Sequence, residues 1–229
     1  MTLIAIDAGH GYETPGKRSP DGMKEYEFNR AVANECIHQL EKASVRTLQT
    51  YSDHRDVPLS ERTAKANNGK ADYFISIHAN AFGNGQWNDV HGIETFIHTV
   101  KGQSAYPLAS KIHSDLIVKT GRKNRGLKKA DFHVLRESHM PALLLECGFM
   151  TNREEKALLA STAYRTLCGK QIAASILSFL PKPHTSPAKD SSLYRVQAGV
   201  FSSRERAEQQ VKKLKKAGFE AAIGTIPSQ

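Results

Sequence analysis

The sequence predicts an α/β fold: a mostly parallel twisted sheet with helices on both faces, plus a small C-terminal βαβ unit. Three observations predict it. Short, very apolar runs at residues 3–7, 73–78 and 142–146 have the length and composition of buried strands. Segments with helical spacing alternate with them, the order that builds a parallel sheet. Residues 181–192 (PKPHTSPAKDSS) are rich in Pro, Ser and Lys, lack apolar periodicity and read as a linker.

Taken in order, residues 3–7 form the first strand and run into residues 8–24, a loop rich in Gly, Pro and Ser. Residues 25–42 repeat Phe28, Val32, Cys36, Ile37 and Leu40 at helical spacing, with Glu25 near the start. Residues 44–50 are strand-like. Asp56 is expected to cap a helix that holds Pro58 in its first turn and ends before Gly69. After the strand at 73–78 comes a Gly/Asn loop, then a strand at 92–98 and a helix at 104–119. The third apolar strand, 142–146, precedes helices at 154–159 and 163–180. Beyond the linker, residues 194–200 and 220–223 are strand-like. Between them Ser202 and Glu205 make a capping-box pattern, and a helix through Ala207, Val211 and Leu214 stops at Gly218. The predicted organisation is a main domain at 1–180, a linker at 181–192 and a C-terminal unit at 193–229, the last too small to bury a stable core alone.

Bulk composition narrows the function. With 39% hydrophobic and 24% charged residues the chain is an ordinary globular protein. No apolar run approaches the roughly 18 residues a membrane span requires, so membrane insertion is not expected. The N-terminus MTLIAIDAGHG lacks a basic leader and cleavage site, so no signal peptide is expected. Cys36, Cys147 and Cys168 are odd in number and include no CxxC, which argues against a disulfide framework and a thiolate zinc site. The net charge is +9, and residues 181–229 hold nine basic and four acidic residues. Such a surplus attracts polyanions, among them nucleic acid and the anionic polymers of a bacterial wall. The tail lacks base-stacking aromatics among its lysines, so no nucleic-acid partner is expected.

The chemistry sits at the strand ends. The first apolar run leads to His10, the second ends at His78 and the third ends at Glu146. Ligands of open α/β sheets bind outside the carboxyl ends of the strands, so these ends suggest one shared crevice. Glu25 joins it from the head of the first helix. Two imidazoles and two carboxylates fit a catalytic Zn²⁺ site: His10, Glu25 and His78 as metal ligands, one position left for water, and Glu146 as general base. There is no HExxH. His91 and His98 are expected to face solvent, Glu94 to be structural, and His133 and His139 to lie outside the site.

Six segments occur in an order that resembles one family: IAIDAGHG around His10, EYEFN from Glu25, RDVPLSERTAKAN from Arg55, ISIHAN around His78, GIETF from Gly92 and PALLLECGFMTN from Pro141. Over about residues 3–180 the chain is similar to zinc-dependent N-acetylmuramoyl-L-alanine amidases of the Amidase_3 type, found in autolysins and phage endolysins. The resemblance implies Zn²⁺ on His10, Glu25 and His78, Glu146 as the catalytic glutamate, and peptidoglycan as substrate. It also implies a site-shaping role for Asn80 and a structural ion pair for Arg62. The loop GYETPGKRSPDG departs from the commoner Gly-Gly-Asp-Pro-Gly-Ala form, and Ala8 stands where many members have Pro. Residues 193–223 resemble one strand–helix–strand half of a SPOR (sporulation-related) wall-binding repeat. The expected role is binding glycan or anionic wall polymer, with two copies pairing as a homodimer to complete a sheet. The alternatives are a zinc hydrolase of another peptidoglycan peptide bond, a catalytically dead binding module and a basic nucleic-acid binder. The first cellular setting expected is that of a phage endolysin released through a holin pore, and the second that of a mother-cell lytic amidase of sporulation.

Overall fold

The computed structural model describes residues 2–14, 16–181 and 197–225. The chain divides into two compact units, Met1–Lys182 and Pro183–Gln229. The first unit runs β1 (Leu3–Ala8), α1 (Glu25–Lys42), β2 (Arg46–Gln49), α2 (Leu59–Asn68), β3 (Tyr73–Asn80), β4 (Ile93–His98), α3 (Tyr106–Thr120), β5 (Asn124–Ala130), α4 (His133–Arg136), β6 (Ala142–Phe149), α5 (Arg153–Ala160) and α6 (Thr162–Phe179). The strands form one sheet in the order β2-β1-β3-β6-β4-β5. Every adjacent pair is parallel except β4 with β6.

Strand periodicity splits the sheet residues between two cores. Ile4, Ile6, Ile75, Ile77, Leu143 and Leu145 face one side, where they pack with α1, α3 and α6 residues such as Phe28, Leu108 and Ile172. Leu3, Ala5, Phe74, Ala142 and Leu144 face the other side and meet Ala66 of α2 with Val134 and Leu135 of α4. The central strands are therefore apolar throughout, as strands covered on both faces must be. Cys36, Cys147 and Cys168 are free and buried.

Four expectations are corrected. Asp56 does not cap α2: Pro58 occupies the N-cap position with no side-chain cap bond, and Asp56 accepts instead from the backbone of Glu13 and from Thr14. His98 does not face solvent. It is buried, with Nε2 3.1 Å from Asp131 and Nδ1 accepting the Val100 and Lys101 amides. In the second unit α7 (Arg204–Lys216) is capped by Ser203 rather than Ser202, and Gly218 at φ +89° ends it as expected. No strand is present at 197–200 or 220–223, and none of the described residues 197–225 is buried. A strand needs a partner ladder, and that segment offers none. The linker at 182–192 and the tail strand's residues 194–196 lie outside the described residues.

Candidate metal centre and active site

The site forms where β1, β3 and β6 end. β1 finishes at Ala8, and two residues later His10 adopts φ +64°, a left-handed conformation that a non-glycine residue holds only when its surroundings impose it. Arg62 supplies the restraint. Its buried guanidinium donates from Nη2 to the His10 carbonyl at 2.6 Å, from Nη1 to the Ala8 carbonyl at 2.5 Å and to Asp7 Oδ1 at 3.0 Å, and from Nε to the Val57 carbonyl at 2.8 Å. This is the structural ion pair expected of Arg62, and it also shapes the turn that carries His10. Gly9 must be glycine here, because a Cβ would overlap the His78 ring.

Glu25 opens α1, and its side chain is 2% exposed. Its Oε2 lies 3.1 Å from His10 Nε2 and its Oε1 2.8 Å from His78 Nδ1. The amide of Lys17 donates to Oε2 at 3.1 Å, and Asn29 Nδ2 donates to Oε1 at 3.2 Å. Burial pushes the Glu25 pKa up, but the hydrogen bonds and charges of His10 and His78 outweigh it and hold the carboxyl below its ordinary value. Two imidazole nitrogens and a carboxylate oxygen thus lie within 4.8 Å of one another, a set able to hold a metal ion. Ligands at zinc bond lengths in a tetrahedral arrangement sit roughly 3.4 Å apart, so the donor set fits.

His78 is oriented from behind. Its Nε2 is 3.0 Å from Ser76 Oγ, and that hydroxyl donates to Asp7 Oδ2 at 2.7 Å. Asp7 also accepts from Thr50 Oγ1 at 2.7 Å and from Arg62. A histidine whose far nitrogen is held this way presents the other nitrogen in a fixed direction. Sequence reasoning passed over Ser76, Asp7 and Asn29. Their signals were present: Ser76 lies two residues before His78 on the same strand face, Asp7 is a carboxylate in an apolar strand, and Asn29 is one helical turn after Glu25.

Glu146 pairs with His78 across β3 and β6, and with Glu94 across β6 and β4. Its Oε2 is buried without a hydrogen-bond partner. Burial, joined by the charges of Glu25 and Glu94, raises its pKa well above the carboxylate value of 4.5. An unpartnered carboxyl with raised proton affinity beside a candidate metal centre is suited to moving protons. Glu94 sits in a bonded network: it accepts from Asn80 Nδ2 at 2.9 Å and pairs with Arg125 and Lys128. Asn80 serves the frame, holding Glu94 and accepting the Met150 amide on its carbonyl. His139 is exposed, and His133 heads α4, in neither case among the metal-ligating set.

Comparisons with known proteins place the chain in a family. The family described as N-acetylmuramoyl-L-alanine amidase matches residues 4–178, and the SPOR domain family matches residues 159–225. The SPOR match begins at Leu159 near the end of α5 and runs through α6, which packs against the same core as α1 and α3. The N-acetylmuramoyl-L-alanine amidase CwlM of Bacillus licheniformis is 31% identical over 227 residues, covering 97% of this chain and 85% of its own length. The sporulation-specific N-acetylmuramoyl-L-alanine amidase of Bacillus subtilis (strain 168) is 33% identical over 225 residues, covering 97% and 84%. Among solved structures, the amidase AmiC2 of Nostoc punctiforme superposes with a TM-score of 0.72 at 34% identity, over 78% of this chain and 96% of that one. From the spacing of its motifs, its sheet and its His–Glu–His centre, and from these matches, the chain belongs to the N-acetylmuramoyl-L-alanine amidase family.

Proposed function

We propose that the protein hydrolyses the amide between N-acetylmuramic acid and L-alanine in peptidoglycan, using Zn²⁺ held by His10, Glu25 and His78. The observation that carries this reading is the gathering of those three donors within 4.8 Å, beside the unpartnered Glu146 carboxyl on the next strand. Zinc in such a set lowers the pKa of water to about 7 and polarises the carbonyl it faces. Glu146 accepts the proton of the attacking water and then delivers it to the L-alanine nitrogen, so the amine leaves neutral rather than as an anion. Ser76 and Asp7 keep the His78 ring in place while this happens, and Arg62 keeps His10 in its turn.

The tail supports wall attachment: it matches the SPOR family and carries the basic surplus noted above. In this reading it holds glycan or anionic wall polymer near the site, and two copies pair to give the flanking segments of α7 a partner. Sedimentation showing only monomers with a folded tail removes the pairing. Among the described residues no helix is long and apolar enough to cross a membrane. Likeness to a sporulation-specific amidase over 97% of the chain favours mother-cell lysis as the setting over phage release.

The test is digestion of purified peptidoglycan by the zinc-loaded chain, with mass spectrometry of the products. Expected products are glycan strands bearing free lactyl carboxylates and peptides beginning with L-alanine. Release of shorter peptides with the lactyl amide intact assigns the enzyme to a bond within the stem instead.

A further inference from the structure

We propose that the leaving peptide runs from Glu146 across β4 to the edge strand β5, where Arg125 and Lys128 grip a carboxylate of that peptide. The inference rests on the hydrolysis reading and adds to it a substrate direction and a specificity site.

The direction follows from the order of the groups. His78, Glu146 and Glu94 are register neighbours on β3, β6 and β4. The scissile carbonyl must face the His10, Glu25 and His78 side, while the nitrogen must lie within hydrogen-bond reach of Glu146 to receive its proton. The carbon–nitrogen bond therefore points from β3 toward β6, and the peptide beyond the nitrogen continues over β4 and β5. Strands are spaced about 4.8 Å apart, so β5 is roughly 10 Å from β6.

Glu94 is 4% exposed and needs one positive charge to compensate it, yet two cations converge on it. Arg125 Nε lies 2.9 Å and Lys128 Nζ 2.5 Å from the same oxygen, Oε2, while Oε1 is taken by Asn80. The Arg125 guanidinium is fixed over the Phe149 ring at 4.8 Å, and Nη1 has only the His91 carbonyl, at 3.5 Å. That leaves an outer edge of a rigid, partly exposed fork, the geometry that binds carboxylates through paired bonds. In peptidoglycan the residue after L-alanine is acidic and joined onward through its side chain, so its α-carboxyl is either free or amidated. An extended chain advances about 3.3–3.6 Å per residue, which brings that carboxyl roughly 7 Å past the leaving nitrogen, between β4 and β5.

The experiment uses the full chain, zinc-loaded, and two muramoyl peptides that differ only in whether this carboxyl is free or amidated. Wild type, Arg125→Gln and Lys128→Met are compared by kcat/KM. Wild type is expected to prefer the free acid by about tenfold or more, the worth of a charge-assisted pair. Each variant is expected to lose that preference, through a KM for the free acid raised to that for the amidated peptide. Each leaves the other cation on Glu94, and thermal unfolding of both reports whether the fold is kept. Should Arg125→Gln fail to fold, Lys128→Met and Arg125→Lys carry the same comparison. Equal losses on both peptides, or a wild type indifferent to the carboxyl, overturn the proposal while leaving the hydrolysis reading standing. A wild type that releases no L-alanyl amine from either peptide overturns the hydrolysis reading and this proposal with it.

Discussion

Replacing Ser76 with alanine removes one oxygen from the chain that links His78 to Asp7. That oxygen is 3.0 Å from His78 Nε2 and 2.7 Å from Asp7 Oδ2. Asp7 keeps Thr50 Oγ1 at 2.7 Å and Arg62 Nη1 at 3.0 Å, so its charge remains compensated. The fold therefore loses one charge-assisted bond and one ordinary one, about 2–3 kcal/mol together. The metal loses more selectively. With Nε2 released, the His78 ring is free to turn and to carry its proton on the wrong nitrogen. Loss of such an outer partner costs about 10–100-fold in metal affinity. Two measurements separate the effects: zinc affinity by competition with a chromophoric chelator, and urea unfolding in excess chelator. The expected result is weaker zinc binding in a chain that still folds. A zinc affinity within about twofold of wild type, with only stability reduced, refutes the orienting role and makes Ser76 a core filler.

Gly9→Ala drives a methyl group into the His78 ring, so zinc content and wall hydrolysis are expected to fall together; full activity in that variant contradicts the geometry. Arg62→Met leaves Asp7 buried beside only hydroxyl donors and frees the His10 turn, at a cost of about 3–5 kcal/mol in urea denaturation. Glu146→Gln bears on stability as a function of pH. The folded chain raises the Glu146 pKa above its usual 4.5, so ionised Glu146 opposes folding of the metal-free protein above that pH. Without metal, Glu146→Gln is expected to melt higher than wild type at neutral pH. The gap should close as pH falls below about 4.5, where the folded and unfolded wild type both hold the proton. An equal gap at all pH values removes burial of charge as the cause.

Much of the main domain was legible in the sequence because its signals are local and strong. The buried strands β1, β3 and β6 are short unbroken apolar runs, and α1 and α6 repeat apolar residues at helical spacing. His10, His78 and Glu146 stood out because a polar residue at the end of such a run has few structural reasons to be there. β5 was missed, since an edge strand is protected by charge: Arg125, Lys128 and Lys129 erase the apolar signature. Asp56 was misread because its carboxylate bonds a loop more than forty residues earlier in the chain, a partner no local pattern reveals. The burial of His98 has the same origin, since Asp131 reaches it from beyond β5. The tail strands failed because alternation predicts capacity for pairing, and pairing depends on a partner outside the segment.

The central claim is that three side chains hold the metal while a fourth, Glu146, works beside it without binding it. Metal analysis of the full-length Glu146→Gln variant, purified in the presence of zinc, tests this most directly. One zinc per chain, as in wild type, in a protein that no longer digests peptidoglycan is the expected result. Loss of the zinc along with the carboxylate makes Glu146 a ligand and contradicts the division of roles.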